Sequence, residues 1–258
     1  MDNEVKNASL DDFPVLNRIL NGANIYRSNV ICSYAKNLRD LEKDLDKCVE
    51  TVKKLHEKLF TGPSVYFHSK AIEAAKSESD FLSEKHIEMI YAMLPAWGMH
   101  RMGEGKTKVI EWKQFYDGII KEKERLEKYK NISILNNDDF INEIVDLLFK
   151  INVSKSDSKL VSSSKVLHHI LPDLISPIDR QYSIRFMRGN ENKNLNGENN
   201  EKELAKIFIC GMYDFLIKNE KELTKYKNSI NNEFNASLTK LFDNLVVAYM
   251  RNQKEDSK

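Results

Sequence analysis

The chain reads as an all-α protein on three observations. Only nine Gly and five Pro interrupt its 258 residues, apolar side chains recur at three- and four-residue spacing, and the strict alternation of a half-buried strand is scarce. A hydrophobic content of 41% is enough for a sizeable core. We therefore expect one compact multi-helix domain over residues 1–258.

The elements follow in order. Residues 10–20 form a short first helix. Residues 29–60 carry Leu38, Leu41, Leu45, Val49, Val52, Leu55 and Leu59, a heptad-like seam that stops at Thr61-Gly62-Pro63. Helices over 64–76 and 81–94 come next, the second with Phe81, Ile87, Ile90, Tyr91 and Leu94 on its apolar side and closed by Pro95 and Gly98. Residues 111–129 and 138–151 continue the pattern, with Asp138 or Asp139 as N-cap before Ile141 and Ile144. The polar, low-complexity stretch 188–203 predicts an exposed loop. Helices over 204–216 and 238–249 complete the domain, and no internal repeat is present.

Composition excludes several functions. With 40 basic and 39 acidic residues, net charge +1, the molecule is not a polycation that coats nucleic acid. No apolar run reaches the roughly 18 residues of a membrane span, and the first residues lack a secretory pattern, so a cytoplasmic, soluble monomer is expected. Cys32, Cys48 and Cys210 lack Cys-x-x-Cys spacing, which argues against a disulfide framework or a zinc cluster; they read as small buried hydrophobes. Gly105-Lys106-Thr107 has His100 where a phosphate-binding loop needs its first glycine. His86-Ile87-Glu88 has no Pro-Cys-x-x-Cys partner, and His56-Glu57 lacks a second zincin histidine. His168 and His169 are adjacent, about 100° apart on a helix, so one is expected to pack and the other to face water. No metal and no cofactor are expected.

The densest information lies in 161–187. It joins Ser162-Ser163-Ser164-Lys165 at a helix start, His168-His169, the chain-stopping Pro172 and Pro177, and Asp179 just ahead of the apolar-periodic Tyr182, Ile184, Phe186 and Met187. Asp179 is placed to cap the helix that follows. Six Lys/Arg against three acids from 154 to 188, and a further basic excess over 97–130, fit a phosphate-gripping surface or, equally, solvated helix faces.

The succession of a short loop, a lysine at a first helical turn, and Pro177-Ile178-Asp179-Arg180-x-x-x-x-Arg185 resembles the helix-hairpin-helix DNA glycosylases. The resemblance covers about residues 81–187. It implies a two-lobed helical fold, with lobes of 1–80 plus 189–258 and 81–188, no cofactor, and DNA as partner. Asp179 matches the family's catalytic aspartate, and Lys165 stands near the Schiff-base lysine of lyase-competent members. Ser162, Ser163 and Ser164 replace the usual hairpin glycines as phosphate contacts, joined by Arg180 and Arg185. The stretch Met89 to Arg101 is similar to the segment that enters DNA, which makes Trp97, Met99, His100 and Arg101 wedge or DNA contacts. Tyr91, Trp112 and Tyr182 are candidates to stack on the extruded base.

What the resemblance implies chemically is hydrolysis of an N-glycosidic bond in DNA base excision. A fixed carboxylate stabilises the sugar cation and orients water after base flipping. Similarity to anti-phage glycosylases points to antiviral defence and a modified cytosine as base. Asp179 also reads as a helix cap and nothing more, and the basic segments also suit a non-catalytic helical module binding nucleic acid or protein.

Overall fold

The computed structural model describes residues 10–20, 25–58, 61–99, 108–136, 138–156, 158–189, 197–230 and 232–255; His100, Arg101 and the Gly105-Lys106-Thr107 motif lie outside them. Among the described residues the fold is all-α, thirteen helices with a single isolated bridge between Val109 and Ser154.

Helix α1 spans Pro14–Leu20, and its N-terminal amides are capped from afar. The Asp214 carboxylate accepts Val15 N–H at 3.1 Å and Leu16 N–H at 2.8 Å. The seam expected over 29–60 is two helices, α2 Ile25–Lys43 and α3 Leu45–Lys58, divided at Asp44. The bonds Asp44 N–H to Asp40 O and Cys48 N–H to Asp44 O carry the helical ladder through the break, so the seam keeps its facing. Helix α4, Pro63–Lys76, starts after Gly62 at φ 74 with proline in its first turn.

Ser83 caps α5, Glu84–Leu94, by accepting His86 N–H. A π-helical turn, Pro95–Met99, then ends the element at Gly98, φ 85, in the left-handed region that glycine tolerates.

The stretch 111–129 likewise divides, into α6 Trp112–Ile120 and α7 Lys123–Glu127. Arg125 locks α7 to α8, Ile141–Lys150, by donating at 2.7 Å to each of Glu122, Glu143 and Asp146. Helix α9 is Leu160–Ile170 and α10 is Ser183–Arg188. The polar region expected as loop through 203 instead yields to α11, Glu198–Lys218. Its first turn is anchored because Glu201 turns inward and is buried. Helices α12, Glu220–Ile230, and α13, Leu238–Glu255, close the chain.

One continuous apolar core runs from Leu10 to Tyr249. Helix α13 packs on α3 and α10, α11 on α1 and α8, and α4 on α5 and α9. These contacts cross the division between 81–188 and the remainder, so both expected lobes share the core. At Gly211 a Cβ would stand 2.3 Å from the Tyr34 ring, which is why α11 approaches α2 so closely. Cys48 and Cys210 are buried, and all three thiols are free. No described helix is long and apolar enough to cross a membrane.

Candidate functional site

Helix α9 passes through the interior, and its whole polar run is enclosed. Ser162, Ser163, Ser164, Lys165, His168 and His169 are all buried. This corrects the reading of the three serines as an open phosphate cradle. Ser162 Oγ turns back to Lys159 O at 2.8 Å and Ser163 Oγ reaches Ile151 O at 3.5 Å. The start of α9 already holds an anion, the Glu201 carboxylate, which accepts Lys159 N–H at 2.8 Å, Leu160 N–H at 3.1 Å and the Ser158 hydroxyl.

Ser164 has a different task. Its Oγ donates to Val161 O at 3.1 Å and accepts Ile178 N–H at 3.0 Å, fixing the irregular segment that delivers Asp179. Asp179 closes the turn before α10 rather than capping its first residue directly. Its Oδ1 accepts Gln181 N–H at 2.6 Å and Tyr182 N–H at 3.1 Å, while Ser183 Oγ accepts its own N–H at 3.0 Å. Oδ2 makes no hydrogen bond among the described residues, and the residue is half-buried. One oxygen therefore holds the backbone and the other is available.

The Lys165 ammonium, in a residue only 7% exposed, donates to Trp97 O at 3.0 Å and to nothing else among the described residues. Burial pushes it below the usual lysine range, against the opposing charges of Asp179 and Asp243. The Asp179 charge acts on Lys165 without a hydrogen bond or ion pair between the two.

A second ion pair enters from α13. Lys240 donates to Asp243 Oδ2 at 2.6 Å and to Asn244 Oδ1 at 2.9 Å, and its ammonium lies 4.2 Å from the Phe234 ring centre and 5.1 Å from that of Trp97. Both residues are buried. Burial pushes Lys240 down and Asp243 up, and each opposes the shift of the other. The network continues through Asn244 Nδ2 to Asn235 Oδ1 at 2.7 Å and from Asn235 to His56 Nε2 at 2.7 Å.

Histidines line the other side. Both His168 and His169 are fully buried, which corrects the expectation that one faces water. His169 Nδ1 donates to Lys165 O at 2.6 Å, so its Nε2 is the acceptor for His68 Nδ1 at 2.8 Å. His68 stacks on Trp97 at 5.4 Å and on His168 at 5.8 Å. His86 donates from Nε2 to His169 O at 2.9 Å and accepts Leu82 N–H on Nδ1 at 3.1 Å, holding Leu82 at φ 54. These bonds need neutral rings, and burial pulls His86 down to about 4 and His169 to about 3. Among the described residues no group of three His, Cys, Asp or Glu side chains is placed to hold a metal ion.

The remaining candidates are distributed. Trp97 is half-buried at the centre of this cluster, its Nε1 donating to Ser64 O at 3.3 Å. Met99 is buried in the core, so its wedge role is corrected. Tyr91 and Trp112 meet edge to face at 5.5 Å in a separate aromatic group with Phe115, and Tyr91 Oη donates to Ile110 O at 3.0 Å. Tyr182 instead lies beneath Arg251 and Lys254, apart from that group. Arg180 and Arg185 are exposed, Arg180 donating to Ser158 Oγ at 3.2 Å.

Sequence reading missed Lys240, Asp243 and His68. His68 carried a signal, since it shares the apolar stripe Ala71, Ile72 and Ala75 on α4. Lys240, Asp243 and Asn244 lie opposite the stripe of Leu241, Phe242 and Leu245, where water is the ordinary neighbour. Only their i, i+3, i+4 spacing, which lets the charges satisfy one another, hinted at burial. Comparison with protein-family models, curated proteins and solved structures returned no match for this chain.

Proposed function

We propose that this chain is a DNA N-glycosylase acting on a damaged or modified base, with Asp179 as the carboxylate that stabilises the sugar cation. The observation that carries this reading is the division of labour within Asp179. Oδ1 is fixed by two amides, Oδ2 has no hydrogen-bond partner among the described residues, and the group stands in the field of two buried lysines. A carboxylate oriented in advance is what a developing oxocarbenium ion requires. As the bond from C1′ to the base nitrogen breaks, Oδ2 faces the cation and directs a water to C1′. The electrons of the broken bond leave with the base.

Lys165 supplies positive charge beside Asp179 and, when neutral, an amine able to attack C1′ in place of water. The exposed Arg180 and Arg185, near the Asp179 turn in sequence, supply phosphate contacts. A modified cytosine in phage DNA is the substrate we favour, with defence as the setting.

The test is incubation of the protein with ordinary and base-modified duplex and single-stranded DNAs, followed by detection of abasic sites. Release of a base by the wild type and its loss in Asp179→Asn support the reading. Absence of abasic sites across the whole panel overturns it, and retained DNA binding would then favour a non-catalytic binding module.

A further inference from the structure

The charges around Lys165 come from more of the chain than the motif at 161–187. Asp179 acts on it from the turn before α10, Asp243 and Lys240 from α13, and Lys108 from the segment before α6, while the His169 ring on its own helix is neutral. The two lysines meet at one residue: Lys165 holds the Trp97 carbonyl at 3.0 Å, and Lys240 lies over the Trp97 ring at 5.1 Å.

Their protons are engaged differently. Lys240 has two oxygen acceptors, at 2.6 and 2.9 Å, and the Phe234 face at 4.2 Å for its third direction. Such an ammonium is fixed in place. Among the described residues Lys165 has a single neutral acceptor, so its state is the one free to change.

We propose that Lys240 and Asp243 are a positioning pair for Lys165, a fixed ion pair delivered by α13 that sets the charge state of the Lys165 amine and its placement beside Asp179. The inference deepens the glycosylase reading and rests on it for the use made of Lys165. Lys240 favours neutral Lys165 through like-charge repulsion and Asp243 favours the charged form. Breaking the pair on one side therefore shifts Lys165 differently from removing both charges.

The experiment is reductive methylation with formaldehyde and cyanoborohydride across a pH series, with Lys165 read individually by peptide mass spectrometry. The midpoint of its labelling profile reports the amine and requires no DNA. In Lys240→Met the midpoint rises; a rise of about one unit is a roughly ten-fold fall in neutral amine at a fixed lower pH. In the double variant Lys240→Met, Asp243→Asn it falls back below that of Lys240→Met. Where circular dichroism shows that Lys240→Met has not folded, Asp243→Asn decides, its midpoint falling below the wild-type value. Coincident midpoints, or the reverse order, overturn the proposal. Ordered midpoints without any abasic product would sink the glycosylase reading and leave the pair standing. Abasic product with coincident midpoints would do the opposite.

Discussion

On the proposed reading Asp179 has two separable tasks, and two substitutions at one position divide them. Asp179→Asn keeps an Oδ1 that can accept Gln181 and Tyr182 N–H, which the wild type binds at 2.6 and 3.1 Å. Only the charge is lost. Asp179→Ala loses the acceptor as well, leaving two turn amides to water at a half-buried site. Loss of such a cap costs about 0.5–2 kcal/mol, so the alanine variant should be roughly 1 kcal/mol less stable than the asparagine variant. For a chain of this size that is about 2–4 °C in Tm. Under the proposed glycosylase reading base release behaves otherwise, because the sugar cation responds to the charge. Both variants should lose roughly 10²–10⁴-fold in single-turnover rate. Thermal melts and abasic-site formation, measured on the same preparations, check both halves. Near-wild-type turnover in Asp179→Asn, or a loss confined to the less stable alanine variant, would show that the carboxylate is a cap alone.

Three further outcomes follow from the same geometry. Lys240→Met strands a buried carboxylate at Asp243 and should cost about 3–5 kcal/mol in urea unfolding, most of it recovered when Asp243→Asn is added. Glu201→Ala removes the acceptor for the Lys159 and Leu160 amides and should cost about 1–2 kcal/mol, with faster hydrogen exchange at the start of α9. An unchanged exchange rate there would refute the capping assignment. The third concerns acid. Folded His86 titrates at about 4, below the ordinary 6.5, so the unfolded chain binds the extra proton between those values. Its contribution is fully present above pH 6.5 and is lost as pH falls toward 4. His86→Gln should therefore flatten the acid limb of the stability curve by about 1.4 kcal/mol per pH unit within that window. Parallel wild-type and variant curves would contradict the neutral, doubly bonded ring.

Much of this was legible in the chain itself. Periodicity marked nearly every helix, and Gly62-Pro63, Pro95 and Gly98 marked their ends, because local sterics act over a few residues. Helix breaks at Asp44 and between α6 and α7 escaped, since the apolar stripe continues through them. The start of α11 escaped for another reason: its polar first turn is held by Glu201 reaching to α9, a partner 41 residues away from Leu160.

The sequence by itself determined the helical class and the helix ends at Gly62-Pro63, Pro95 and Gly98, each set by side-chain period or by sterics within a few residues. Tertiary structure alone decided that the serines and both histidines of α9 are enclosed. It also decided that Lys240 and Asp243, on the nominally wet side of α13, share a site with Lys165. The physical reason is that burial is a property of packed helices: a polar face becomes interior whenever neighbours cover it and supply partners for its charges.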